Sequence, residues 1–183
     1  MVITSVVLID GSGNWRGEVD ATQLTNAVLL CLGVGFAEEL IFRGWLWAEL
    51  NQMLGSRRGA VAQASIFSLV HTRFNLGLGA MSGLLVGLFL LGMVLARQRQ
   101  SDRGSLWGCI GLHGGLVAGW FLLQNGLLQL SPNAPPWLVG PGGHSPNPLG
   151  GLIGILSLLI LLLIQRTAVA NALRPSTGAR RAS

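Results

Sequence analysis

The chain has 183 residues, of which 50% are hydrophobic and 10% are charged, and its mean hydropathy is +0.57. Several apolar runs approach the ~20 residues that cross the ~30 Å hydrocarbon core of a bilayer, so the composition excludes an ordinary soluble domain and predicts an all-α polytopic membrane protein. The net charge of +5 comes from arginines scattered between the apolar runs, a distribution that argues against a nucleic-acid-binding surface.

Residues 1–22 are predicted to form an N-terminal interfacial segment. Their apolar start is too short to span a membrane, it lacks a basic region of the kind that opens a secretory signal, and a charged turn follows it. The two cysteines, Cys31 and Cys109, lie within apolar runs and are interpreted as packing residues without a disulfide.

About five transmembrane helices are predicted, over residues 23–53, 60–74, 76–96, 105–130 and 149–164. Asp20 or Thr22 is the expected N-cap of the first helix, and the segment 55–59 is expected to end it. Residues 131–150 are rich in proline and glycine and are predicted to form a loop.

Glycines recur at four-residue spacing in the third and fourth helices, and such ridges let a neighbouring helix approach closely. The ridge residues are Gly79, Gly83 and Gly87, then Gly111, Gly115 and Gly119.

Five crossings place most arginines on one side of the membrane. The larger group is Arg57, Arg58, Arg97, Arg99, Arg103, Arg166, Arg174, Arg180 and Arg181; the other side has Arg16 and Arg73. By the positive-inside tendency the larger group is cytoplasmic, so the N-terminus is predicted outside and the C-terminus inside. Residues 23–166 then form the helical core, and residues 167–183 form a basic cytoplasmic tail.

Three charges lie within six residues near the middle of the first apolar run: Glu38, Glu39 and Arg43. A carboxylate at the centre of a membrane helix costs roughly 3 kcal/mol on insertion scales, so two adjacent ones require compensation. Glu39 and Arg43 have the i,i+4 spacing of an intrahelical ion pair. A polar clasp between helices would account for that pair, but it leaves Glu38, about 100° round the helix, without a role.

Two histidines are expected at a depth similar to that of the glutamates. At 1.5 Å per residue, Glu38, His71 and His113 lie about 20, 18 and 13 Å from the cytoplasmic ends of their helices. A lone buried histidine is usually a packing residue, but two at the level of a Glu-Glu pair indicate a site. His144 lies in the predicted loop and is given no role.

A carboxylate and an imidazole that share a water can deprotonate it for attack on a carbonyl, while a second imidazole stabilises the oxyanion. Alternatively, Glu38, His71 and His113 could bind a single zinc ion with an open position for water. The sequence has no H-E-x-x-H helix, and it shows no carboxylate that would orient the two histidines.

Three motifs in order, Glu38-Glu39-x-x-x-Arg43, Phe67-x-x-x-His71 and then His113, give the chain a resemblance to a known family. It resembles the CAAX protease and bacteriocin-processing (Abi, type II CAAX prenyl endopeptidase-like) intramembrane proteases. The resemblance implies hydrolysis of a peptide bond in a membrane-associated protein or peptide. It further implies a catalytic set of Glu38, Glu39, His71 and His113, supported by Arg43 and Phe67.

In that family Glu38 and His71 would activate the water, and His113 would assist at the oxyanion. Family members have been described both as metalloproteases and as glutamate-type proteases, so the cofactor is either none or one divalent metal, zinc. The family's third motif often continues to an Asn or Asp four residues after the histidine, and here that position is Val117. Gln124, on the same helical face, is the alternative polar donor.

Three other functions are compatible with the sequence. A rhomboid-like serine protease would use Ser82 and His113; a bis-histidine haem protein would use His71 and His113; a non-catalytic immunity or binding protein, or a proton-coupled carrier, would use the buried charges without hydrolysis.

The expected partners are the lipid bilayer and a membrane-associated peptide, with no nucleic acid. The small size and arginine-only basic residues favour a bacterial inner membrane and a bacteriocin-like leader as substrate.

Overall fold

The structure is a computed structural model that describes residues 11–143 and 145–172, with side chains described as far as Arg166. The beginning of the predicted interfacial segment, His144, and all but the first residues of the predicted basic tail lie outside the described residues.

The first helix, α1, runs from Ala21 to Leu54 and contains a π-helical turn. Its α-helical parts are Ala21–Glu39 and Trp47–Leu54, and the π-helical turn is Leu40–Leu46. Asp20, one of the two predicted N-caps, begins it with a capping box, because its carboxylate accepts from the Gln23 N–H at 2.7 Å and its own N–H donates to the Gln23 side chain at 3.1 Å. Gly55, at φ +76°, ends the helix.

The remaining elements follow in order. They are α2 (Ser56–Val70), α3 (Leu78–Ser101), α4 (Trp107–Leu122) with a π-helical extension (Leu123–Leu127), a short α5 (Pro136–Val139), a 3-10 turn (Pro148–Gly150) and α6 (Leu152–Ala172). A two-stranded antiparallel sheet pairs β1 (Gly13–Trp15) with β2 (Leu128–Leu130).

Several predicted boundaries are wrong. The second helix begins at Ser56 instead of the predicted residue 60, because Gly55 alone separates it from the first helix. It ends at Val70, before the predicted residue 74. The third continues to Ser101, through arginines expected in a turn. The fourth stops before 128, since Leu128–Leu130 has the apolar–polar alternation of a strand and pairs with Gly13–Trp15. The strand Gly13–Trp15 is too distant in sequence from Leu128–Leu130 for a local pattern to reveal the pairing.

Antiparallel packing of α1 on α4 joins the first and fourth helices. At one end the Gln23 side chain donates to the Asn125 carbonyl at 2.7 Å. Near the middle, a Cβ at Gly35 would lie 2.9 Å from Gly114 Cα, so the two backbones are in contact. This close approach places Glu39 of α1 opposite His113 of α4.

Within the described part of the chain, the predicted glycine ridges do not pack against another α-helix. Gly83 and Gly87 contact the backbone of Gly150 and Leu149, because the proline-rich segment folds back over α3. In the fourth helix, no described atom lies within 4 Å of a Cβ built at Gly111, Gly115 or Gly119. The glycine that contacts α1 is Gly114, one position off the ridge.

Side-chain contacts give the relative directions of α2 and α3. Gln63 and Ser68 of α2 donate to the Gly92 and Leu85 carbonyls of α3, at 3.1 and 2.7 Å, so these helices are antiparallel. The apolar core lies among α2, α3, α4 and α6; its buried members are Phe67, Leu84, Leu88, Leu91, Val94, Leu95, Cys109 and Leu158.

Two of the described helices, Ala21–Leu54 and Leu78–Ser101, are long and apolar enough to cross a membrane. Leu152–Arg166 is a shorter apolar helix. The all-helical membrane architecture is therefore supported, while the count of five crossings and the orientation stay predictions.

We expect reporter fusions at Asp102 and Ser183 to read cytoplasmic, because the larger arginine group lies on that side of the five-crossing topology. A fusion at Asn133, in the segment after β2, is the control and should read external. If Asp102 and Ser183 fall on opposite sides, the five-crossing topology is wrong.

Candidate active site

Glu38 and Glu39 are the last two residues of the first α-helical part of α1, directly before the π-helical turn. Across this turn the Trp47 N–H donates to the Phe42 carbonyl, five residues earlier, which is the π-helical pattern. π-Helical turns inside α-helices are frequent at functional sites, because they change the direction of the side chains around them. Here Arg43 is the buried residue of the turn.

Arg43 and Glu39 form the predicted ion pair. Arg43 Nη1 lies 2.9 Å from Glu39 Oε1, and both side chains have no exposed surface. The guanidinium carbon also lies 4.2 Å from the centroid of the Phe67 ring, so the ring face covers the cation. The buried Glu39 carboxylate is thus compensated by the Arg43 guanidinium, which itself packs on Phe67 of α2.

Glu39 has a second partner, His113. The His113 Nδ1 lies 2.8 Å from the same Oε1 that accepts from Arg43. Since an ionised carboxylate only accepts, the Nδ1 carries the hydrogen and the Nε2 faces the other way. The expectation that neither histidine has an orienting carboxylate is therefore wrong for His113, because the packing of α4 on α1 supplies one.

The backbone orients His71 in the same manner. Its Nδ1 donates to the Phe67 carbonyl at 2.7 Å, four residues earlier on α2. The neutral imidazole therefore presents the lone pair of Nε2 to the site. The Phe67 carbonyl is free to accept this bond because α2 ends here and the His71 N–H donates to the Ser68 carbonyl.

Glu38 lies between the two imidazoles. Its Oε2 is 3.6 Å from His71 Nε2 and 3.9 Å from His113 Nε2. These separations are too long for good hydrogen bonds, but one water molecule could contact the carboxylate and the His71 ring together. Among the described residues this Oε2 is buried and has no hydrogen-bond partner.

The three side chains line a cavity of about 720 Å³. Its walls near Phe67 are apolar and include Leu88, Leu91 and Leu158. A second, open space of about 570 Å³, the outer groove, runs along α1 beside Phe121 of α4, and Val34 and Glu38 line both spaces. Glu38 is therefore accessible from the outer groove as well as from the interior cavity.

The positions considered for oxyanion binding also line this cavity. Val117 supplies no hydrogen bond there, and the Gln124 Nε2 donates to the Pro146 carbonyl at 2.9 Å. Trp120 Nε1 donates to the same carbonyl at 2.8 Å. The amide of Gln124 thus holds the proline-rich segment, a role that its sequence position did not indicate.

Ser82 is placed away from the histidines. It is exposed, its hydroxyl donates to the Gly79 carbonyl of its own helix at 2.9 Å, and it is absent from the described lining of the cavity. The bis-histidine haem arrangement is also disfavoured, since a carboxylate oxygen of Glu38 lies within 4 Å of both Nε2 atoms.

A zinc site would need the side chains of Glu38, His71 and His113 to converge on one point. Within residues 11–143 and 145–172, no group of three or more His, Cys, Asp or Glu side chains is arranged to hold a metal ion. Glu38, His71 and His113, as placed, are therefore not such a group.

Comparison with known protein families finds a match for this chain. Neither the curated proteins nor the solved structures include a match to this chain. The family model for type II CAAX prenyl endopeptidase Rce1-like proteins matches residues 20–119, more than half of the chain, and this range contains Glu38, Glu39, Arg43, His71 and His113. The chain belongs to the Rce1-like type II CAAX prenyl endopeptidase family, a family of integral membrane proteins, which confirms the resemblance predicted from its motifs.

Proposed function

We propose that this protein is an intramembrane endopeptidase that hydrolyses a peptide bond of a membrane-associated protein or peptide, with a water activated by Glu38 and His71. The observation that carries the proposal is the 3.6 Å separation between Glu38 Oε2 and His71 Nε2 in a largely apolar cavity. Family membership supports the reaction class.

In the first step, a water between Glu38 and His71 attacks the carbonyl carbon of the scissile bond, and Glu38 accepts its proton. The new C–O bond leaves a tetrahedral oxyanion. His113 can donate to that oxyanion from Nε2 when its ring is protonated, because Nδ1 already donates to Glu39. The neighbouring Glu39 carboxylate stabilises the imidazolium.

In the second step, the C–N bond breaks and the proton held by Glu38 passes to the leaving amine. Arg43 stays paired with Glu39 throughout, and the Phe67 carbonyl keeps His71 Nε2 directed at the water. Each residue of the predicted site thus has a distinct role.

The substrate is proposed to be an apolar, membrane-associated peptide in a bacterial inner membrane. The apolar cavity walls favour apolar residues around the scissile bond. The outer groove offers a route to Glu38 from the surface of α1, where exposed residues such as Leu29 and Ile41 indicate contact with lipid.

The proposal is tested by comparing membrane peptides of cells that express the wild type or Glu38→Ala, with Glu49→Ala as the control. Glu49 is an exposed glutamate of the same helix, remote from the cavity lining. We expect uncleaved substrates to accumulate with Glu38→Ala only. Identical peptide profiles for all three would favour a non-catalytic immunity protein or a carrier.

A further inference from the structure

Arg99, near the C-terminal end of α3, contacts the π-helical turn of α1. Its Nη1 donates to the backbone carbonyl of Arg43, and its Nε donates to the Gly104 carbonyl at 3.2 Å. Its guanidinium carbon lies 5.0 Å from the ring centroid of Trp47, a buried residue at the end of the turn. Arg99 is thus fixed between α1 and the turn after α3, outside the described lining of the cavity.

The carbonyl that Arg99 binds is the one that the π-helical geometry deprives of its usual donor. In an α-helix the Arg43 carbonyl would accept from the Trp47 N–H. That N–H donates to the Phe42 carbonyl instead. The guanidinium therefore supplies a charged donor where the main chain of α1 has shifted by one residue.

A chain of contacts leads from this carbonyl to the reacting groups. Arg99 donates to the main-chain carbonyl of Arg43, and the side chain of Arg43 donates to Glu39 at 2.9 Å. Glu39 in turn accepts from His113 at 2.8 Å. Displacing the π-helical turn would move Arg43, and with it the acceptor that orients His113.

We infer that Arg99 is a positioning residue of the site. It stabilises the π-helical turn and thereby keeps the side chains of Glu39 and His113 in their positions relative to Glu38. The inference rests on the proposed peptidase function, because its consequence is a change in turnover. Arg99 would contact neither the water nor the substrate.

Arg97 provides a matched control on the same helix. Its Nη1 donates to the Leu162 carbonyl of α6 at 2.8 Å, so it also joins α3 to the backbone of a neighbouring helix. Losing either arginine removes a charged donor from a helix–helix contact, but only Arg99 contacts the π-helical turn.

The test compares Arg99→Gln, Arg99→Lys and Arg97→Gln in the full chain, purified in detergent. Hydrogen exchange of the peptide 40–47 measures the turn without reference to activity, and steady-state kinetics on a quenched fluorescent peptide that the wild type cleaves measures its consequence. We expect Arg99→Gln to raise exchange in 40–47 and to lower kcat about 10- to 100-fold with little change in KM, since small misplacements of catalytic groups cost about that much. Arg99→Lys should recover part of kcat, because it keeps a charged donor.

Arg97→Gln should leave the exchange of 40–47 and kcat near the wild-type values even if its melting temperature falls. Unchanged exchange in both Arg99 variants, or equal kcat for Arg99→Gln and Arg97→Gln, would overturn the inference. If Arg99→Gln does not insert, Arg99→Lys carries the same comparison. Raised exchange together with a wild type that cleaves no membrane peptide would instead overturn the proposed function, and the catalytic consequence of Arg99 with it.

Discussion

Glu38→Gln should lower turnover by about 10² to 10⁴, the usual contribution of a positioned general base. The amide keeps the size of the side chain and can still contact a water, but it cannot accept the proton. Among the described residues the Oε2 of this carboxylate has no hydrogen-bond partner, and it lies 3.6 Å from His71 Nε2. The measurement is the single-turnover rate on a peptide that the wild type cleaves.

Glu49→Gln is the matched control, because it makes the same change at an exposed position of the same helix. Its rate should equal that of the wild type. The double variant Glu38→Gln/His71→Gln should be about as slow as Glu38→Gln alone, since residues that act on one water are not additive. If the two losses multiply instead, Glu38 and His71 act in separate steps, and the shared-water mechanism is wrong.

Metal removal separates the two mechanisms described for the family. With Glu38 and His71 acting directly on water, a strong chelator should leave the rate unchanged. Activity that is lost on chelation and regained with zinc, together with about one metal per chain, would assign Glu38, His71 and His113 to a metal.

The polar residues of the site were predictable because helical geometry is regular. The i,i+4 spacing indicated the Glu39–Arg43 pair, which the structure contains. A rise of 1.5 Å per residue placed Glu38, His71 and His113 at similar depth, and in the structure Glu38 Oε2 lies within 4 Å of the Nε2 atom of each histidine. Their catalytic roles stay predictions.

The arrangement around those residues was not predictable, since it depends on contacts between distant parts of the chain. Glu39 orients His113 only because Gly35 and Gly114 let α1 and α4 approach. Four-residue glycine spacing selected a different face of α4, because it identifies small residues without showing which of them meets a partner.

The π-helical turn also gave no sequence signal. Leu40–Leu46 is an apolar run interrupted by Arg43 and Gly44, and its pattern is equally compatible with an ordinary α-helix. The fold of residues 131–150 was predicted only as a loop, although the backbone of Leu149 and Gly150 packs on α3. Propensity specifies such segments poorly, because neighbouring helices determine their path.

Arg43→Leu should destabilise the protein by about 3 to 5 kcal/mol, because it leaves the Glu39 carboxylate buried without its cation. Arg43 and Glu39 are fully buried and 2.9 Å apart, so water cannot replace the lost partner. Arg43→Lys keeps the charge but loses the planar fork and its stacking on Phe67, so the protein should insert with reduced activity. Thermal unfolding in detergent measures the first effect, and peptide cleavage measures the second.

The exposed pair Arg16–Glu18, at 3.2 Å, supplies the control. Arg16→Leu should change stability by less than about 1 kcal/mol, because solvent screens an exposed ion pair. Adding Glu39→Gln to Arg43→Leu should recover part of the lost stability, since the neutral amide removes the unpaired buried charge. If Arg43→Leu, Arg43→Lys and the wild type unfold at the same temperature, the Arg43–Glu39 pair contributes nothing to the fold. If the double variant is less stable than Arg43→Leu, the uncompensated Glu39 carboxylate is not the cause of the lost stability.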